Sequence, residues 1–238
     1  VRNENYRYKD ISVITKQINT YSSLIRAIFK EYEIPVFIDE KRELSQNIVI
    51  QYILSVLEIF KTNWSYDSII NYLKTGFVNI DEDDIFNFEN YCLKWGIKYN
   101  KWNKNFDIAT VPEKDKPEVE RLNEIRKNIV EPIKKLQDSM KKERTVKNIC
   151  QEIYEFLLNQ NFEKNLEEKI LYLKNKGLED LSNEYKASYK IIMDILDEMV
   201  LVFGDEKITF DKYLEIFKTG LKTSGLGKIP GTTDQVIV

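Results

Sequence analysis

From about residue 45 to residue 222, apolar side chains return every three or four positions, in one segment after another. That spacing puts one stripe of a helix against a core and does not fit the two-residue period of a strand. Ser45 is placed as the cap ahead of Val49, Tyr52, Ile53, Val56, Leu57 and Phe60, and Ser65 ahead of Tyr66, Ile69, Ile70 and Leu73, with Gly76 as the stop. Asp81 opens a third segment, with Ile85, Phe88, Cys92 and Trp95 inward, that ends at Gly96. Pro117 suits a helix's first turn, and Leu122, Ile125, Ile129, Ile133, Leu136 and Met140 follow. Pro132 lies inside that run and is expected to kink it. Thr145 caps the next segment, Gly177 ends the one led by Phe162, and two further stripes run through Ile192 and Phe217.

The two ends of the chain read differently. Ile11-Ser12-Val13-Ile14 suits a parallel strand buried on both faces. Asn19 or Thr20 is placed as the cap of a helix whose inward face is Tyr21, Leu24, Ile25, Ile28, Phe29 and Tyr32. Pro35 stops it, and Val36-Phe37-Ile38 gives a second strand. Two parallel strands joined by a helix need a sheet to join, and Gln235-Val236-Ile237-Val238 is the candidate third strand. The expected fold is therefore mainly α. A large helical domain (45–225) is inserted into a small, incomplete parallel α/β sheet built from 1–44 and 226–238. The chain does not begin with Met and stops inside an apolar run, so both ends are expected to be cuts in a longer polypeptide.

Composition narrows the chemistry. The 238 residues carry a net charge of −3, which gives no global signature of nucleic-acid binding. There is no histidine, which removes His-based triads and His-metal sites. Two distant cysteines, Cys92 and Cys150, make neither a disulfide framework nor a zinc pair. No apolar stretch reaches the length of a membrane span and no signal peptide is present, so a cytoplasmic protein is expected. No catalytic residue and no metal ligand is assigned.

The stretch from Cys92 to Phe106 stands out. Lys94, Lys98, Lys101 and Lys104 occur with no acid between Glu89 and Asp107, and Trp95, Tyr99, Trp102 and Phe106 are interleaved among them. Cations that hold phosphates and aromatics on which bases stack are the parts of a single-strand groove. The bland alternative is a helix end with dipole-matched lysines and inward aromatics. A second basic stretch, Lys134 to Lys147, is offset by Asp138 and Glu143 and reads as a solvated helix end. Asp81-Glu82-Asp83-Asp84 reads as a helix first turn rather than a cation site. Lys74-Thr75-Gly76 follows a helix and lacks phosphate-loop spacing, and the glycine-rich 224–231 precedes a strand, so neither is a nucleotide cradle.

Asp10-Ile11-Ser12-Val13-Ile14, the helix that follows, and Ile34-Pro35-Val36-Phe37-Ile38-Asp39 resemble the second motor domain of UvrD/Rep-type superfamily-one helicases, into which a large helical insertion is built. Those residues are more similar still to AddB, the B subunit family of bacterial ATP-dependent helicase/deoxyribonucleases, together with Asn63-Trp64-Ser65-Tyr66-Asp67, Trp95-Gly96-Ile97-Lys98 and Asp234 to Val238. The resemblance covers both ends and the first hundred residues. It implies a subunit of a machine that resects DNA double-strand breaks for recombination, with an AddA-type helicase/nuclease partner. It also implies a parent that uses ATP, Mg and a 4Fe-4S cluster, none of them held by this segment. Leu44-Ser45-Gln46-Asn47-Ile48 lacks the charged segment that UvrD-type motors carry there, which speaks against translocation by this module itself. The segment is expected to guide DNA (a single strand or a duplex end) through Lys94, Trp95, Lys98, Tyr99, Lys101, Trp102 and Lys104, and to hold subunit contacts. The alternative is a helical protein-interaction adaptor that binds no nucleic acid.

Overall fold

A computed structural model describes residues 6–38, 44–107, 112, 116–142, 145–224 and 234–238. The chain divides into two compact units, Val1–Glu43 with Gly225–Val238, and Leu44–Ser224.

The smaller unit is the incomplete sheet. Strand β1 (Val36–Phe37) pairs in parallel with the closing strand β2 (Val236–Ile237), Val36 opposite Val236 and Phe37 opposite Ile237. Val236 N–H donates to the Pro35 carbonyl and Val238 N–H to the Phe37 carbonyl, both at 2.8 Å. On the other side of β2, Ser12 bridges Ile237 in parallel, and Val13 N–H donates to the Ile237 carbonyl at 2.8 Å. The closing run thus lies between the two opening segments, and the Asp234 carboxylate accepts from the Lys9 N–H at 3.0 Å.

Two expectations are corrected here. The opening run forms one bridge rather than a buried strand, and Ile14 is 93% exposed. Helix α1 (Ile18–Glu31) begins after Gln17 rather than at Asn19 or Thr20, and Tyr21, Leu24, Ile28 and Tyr32 are exposed instead of packed. Two-residue strands offer too little apolar area to cover an amphipathic helix.

The larger unit is helical: α2 (Ile48–Lys61), α3 (Tyr66–Lys74), α4 (Glu82–Trp95), α5 (Lys116–Lys142), α6 (Val146–Asn159), α7 (Phe162–Asn175), α8 (Glu179–Phe203) and α9 (Phe210–Thr223). Helix α2 is apolar nearly all round, so it sits at the centre, against α3 and α8. In turn α8 packs on α6, α7 and α9, and α5 joins α6 to α4. Tyr52 of α2 stacks on Phe162 with centroids 4.6 Å apart, and its hydroxyl meets that of Tyr72 at 3.2 Å, so two buried polar groups satisfy each other.

Caps follow the sequence closely. Ser65, Thr145 and Thr209 accept from the amides of Ser68, Asn148 and Lys212. Helix α2, like α1, departs from the expected cap and is capped by Asn47 rather than Ser45: the Asn47 Oδ1 accepts from Val49 N–H at 2.9 Å while its Nδ2 reaches Glu184 at 3.0 Å. Ser45 falls instead in a short 3₁₀ turn, Leu44–Gln46. Gly76, Gly96 and Gly177 all adopt positive φ at helix ends, where a side chain would strain the backbone. Helix α5 continues through Pro132. The glycine-rich return, 225–233, lies outside the described residues. Among the described residues no helix is long and apolar enough to cross a membrane.

Burial holds several acidic protons in place. It pushes the Cys92 thiol from 9.0 up to about 12, the Cys150 thiol from 9.0 up to about 11, and the Tyr72 phenol from 10.0 up to about 12. The unfolded chain releases these protons first as pH rises, so it binds fewer protons than the folded chain above pH 9. Stability is therefore full below pH 9 and falls as pH climbs towards about 11 for Cys150 and about 12 for Cys92 and Tyr72. Urea midpoints should be level from about pH 7 to 8.5 and drop steadily above that, with both thiols unreactive to alkylation at neutral pH until the chain is unfolded.

Candidate nucleic-acid interface

The lysine-aromatic stretch is folded by what ends α4. Gly96 turns left-handed, with φ 57°, and Ile97 N–H donates back to the Cys92 carbonyl at 2.9 Å. The chain then runs through Lys98 into a 3₁₀ turn, Tyr99–Asn103. Past Gly96 the helical period no longer holds, so neighbouring aromatics take opposite fates.

Trp102 turns inward and is 0% exposed, stacked near Phe88 with centroids 6.0 Å apart. Its indole N–H donates to the Trp64 carbonyl at 3.0 Å, and that same carbonyl accepts from the Tyr99 N–H at 2.8 Å. Phe106 is also buried, 4.7 Å from the Tyr91 ring. Tyr99 turns outward, 46% exposed, and so does Trp95, 49% exposed, although spacing had put it on the inward stripe of α4 with Phe88 and Cys92; it sits in the helix's last turn, where the core no longer covers it. Lys94 Nζ lies 5.6 Å from the Trp95 ring centre and Lys98 Nζ 5.6 Å from that of Tyr99, within cation–π range. Lys101 Nζ donates to the Trp95 carbonyl at 3.1 Å, and Lys104 is exposed. The face therefore presents Lys94, Trp95, Lys98, Tyr99, Lys101 and Lys104. Trp102, expected among the contacting residues, belongs to the core beneath them, since a fully covered ring offers no surface to a base.

The support for this face is strained and polar. Asn63, Trp64 and Tyr99 all have left-handed backbones, with φ of 50°, 64° and 55°. Each such conformation costs a non-glycine residue roughly 1–2 kcal/mol, and the surrounding hydrogen bonds hold it. Trp64 Nε1 donates to Gln137 of α5 at 3.1 Å. Also from α5, Asn123 brackets Phe106, accepting from its N–H at 2.6 Å and donating to its carbonyl at 3.1 Å. Arg126 donates to the Trp102 carbonyl and to the Asn105 side chain, each at 2.7 Å, and burial pushes its pKa down. Lys134 Nζ reaches Asn103 at 3.2 Å. Sequence reading missed Arg126 and Asn123. Arg126 did carry a signal, since it occupies the buried stripe of α5, four residues after Leu122 and three before Ile129.

The other motifs resolve into structure. Asp84 pairs with Arg121 at 2.6 Å and Lys74 with Glu89 at 2.8 Å. Among the described residues no group of three His, Cys, Asp or Glu side chains could hold a metal ion. A groove of about 300 Å³ between α5 and α6 is lined by Glu131, Glu152 and Glu155 against the single cation Lys135, over Leu136 and Phe156, a net negative lining unsuited to phosphate. Lys141 pairs with Asp138 at 3.2 Å, while Glu143 and Arg144 lie outside the described residues.

No protein-family model matches the chain. Among curated proteins it is 39% identical, over its whole length, to the B subunit of an ATP-dependent helicase/deoxyribonuclease from Clostridioides difficile. It is 37% identical to the counterpart from Caldanaerobacter subterraneus and 39% to that from Clostridium tetani, again over its whole length. The entire chain is homologous to a region of these B subunits. It spans about a fifth of their length, 21% of the first two and 22% of the third. The stretch from 107 to 205, which carries none of the motifs of the resemblance, falls within the matched region.

Trp102 and Trp95 should separate cleanly by mutation. Trp102→Ala removes a covered ring and its hydrogen bond and should cost about 3–5 kcal/mol of unfolding free energy. Trp95→Ala, at the surface, should stay within about 0.5 kcal/mol of the parent. Urea unfolding followed by circular dichroism checks both.

Proposed function

We propose that this chain is the DNA-contacting and subunit-contacting helical module of a B subunit of an ATP-dependent helicase/deoxyribonuclease that processes double-strand breaks. The observation that carries the DNA reading is the division of the aromatics. Trp95 and Tyr99 face solvent with a lysine ammonium over each ring, while Trp102 and Phe106 anchor the segment from within. Lys94, Lys98, Lys101 and Lys104 hold phosphates and displace their counterions; Trp95 and Tyr99 give bases a flat surface to stack on.

The module itself does no chemistry in this reading. ATP, Mg and a 4Fe-4S cluster belong to the proposed whole subunit. A cluster of that kind takes four thiolates, and the two cysteines of this chain, both buried and on separate helices, do not fit it. The small sheet is proposed to belong to a helicase-like motor domain. A cytoplasmic heterodimer with an AddA-type subunit is part of the same proposal, and the exposed apolar face of α1 (Tyr21, Leu24, Ile28 and Tyr32) favours a protein contact in addition to the DNA contact.

The test is fluorescence anisotropy with labelled oligothymidylate. Four phosphate contacts on a single strand predict that affinity falls roughly 50-fold between about 50 and 200 mM salt. The quadruple change of Lys94, Lys98, Lys101 and Lys104 to Glu should abolish binding. Trp95→Ala and Tyr99→Ala should each cost about 1–3 kcal/mol and leave the salt slope intact. Absence of binding at the lowest salt would favour the adaptor reading instead.

A further inference from the structure

Arg126 is a buried cation that packing alone does not explain. It is 8% exposed, on the apolar stripe of α5, and its Nε is buried without a partner. Its two Nη atoms hold the Trp102 carbonyl and the Asn105 side chain. Glu131 acts on it through space, but Glu131 also faces Lys127 at 3.9 Å. A neutral amide could serve the same two acceptors with a far smaller desolvation penalty. The hydrogen bonds therefore account for a donor at this position but not for a charge. What a guanidinium adds is a proton it never sheds and a field that dissolved salt screens poorly, because ions do not enter the interior. That field originates on the inner side of the segment whose outer side carries Lys98, Lys101 and Lys104.

We propose that Arg126 is a positioning residue of the nucleic-acid face: with Asn123 it clamps the Trp102–Phe106 arch to α5, and it lends that face a permanent positive potential without touching the ligand. The assignment rests on the DNA reading above. A phosphate arriving on the face relieves the uncompensated charge below it, so DNA occupancy and the order of the arch reinforce each other.

The experiment uses the whole 238-residue chain with labelled oligothymidylate across a salt series, and amide exchange over residues 102–106. Arg126→Gln, which can serve the same acceptors but loses the charge, should weaken binding about tenfold, the scale of one unit charge acting on a phosphate through the protein. Arg126→Lys, which keeps the charge, should weaken it less. Neither should change the salt slope, because Arg126 meets no phosphate, and both should speed exchange of the arch amides. If Arg126→Gln fails to fold, Arg126→Lys and Asn105→Ala test the clamp by the same affinity and amide-exchange readouts. Folded variants that bind like the parent would overturn the assignment alone and leave the DNA reading standing. A flattened salt slope would overturn it too, by making Arg126 a direct phosphate contact. If the unaltered chain does not bind at the lowest salt, the DNA reading fails and this role fails with it.

Discussion

The central constraint is the burial of α2 on every side. A helix whose residues from Val49 to Ile59 are nearly all covered leaves its neighbours no choice but to surround it, and α3 and α8 do so directly. Its two ends then set what happens further out. At the start, Asn47 ties the first turn to Glu184 of α8. At the finish, the chain leaves through the left-handed pair Asn63 and Trp64, with Trp64 N–H bonded back to the Ile59 carbonyl at 2.8 Å. The carbonyl of Trp64 is the acceptor on which Tyr99 and Trp102 are hung. The candidate interface is thus an extension of the core, carried outward by one peptide group.

That route explains how a chain with net negative charge can present a cationic face. The lysines are collected by local sequence, between Glu89 and Asp107, and exposed by local geometry, since Gly96 ends α4 and the segment that follows turns Tyr99 out and Trp102 and Phe106 in. Elsewhere acids are taken up by pairing, as Asp84 and Glu89 are with Arg121 and Lys74. The homology to the helicase/deoxyribonuclease B subunits and the chemistry of this face were reached independently, one from the whole chain and the other from fifteen residues of it.

Much of the architecture was legible in the sequence because helical periodicity is a local property. The stripes of α2, α3 and α5 to α9, the caps at Ser65 and Thr145, and the glycine stops stand where the spacing put them. The closing Val236-Ile237 run also pairs beside the opening segments as its composition suggested. The misreadings share a cause. Whether Ile14 or the α1 face is covered depends on what else is present to cover it, and periodicity carries no record of that. Trp102 lies beyond the end of α4, where spacing no longer maps to direction, while Trp95 follows the inward spacing of α4 but falls in its last turn, past the reach of the core. Arg126 was overlooked because a charged residue in an apolar stripe looks like an interruption rather than a clamp.

The register of β1 against β2 has a temporal meaning. Val36 cannot meet Val236 until the 199 residues between them exist, so during synthesis the pairing of these strands comes after the helices between them. The helical unit also closes late, because α9 packs against the Leu44–Gln46 turn, yet every one of its helices precedes β2 in the chain. The hydrogen bonds that β2 makes to the opening segments come from a handful of residues made long afterwards. Val236 and Ile237 are thus among the last described residues to be made and the ones that join the two opening segments.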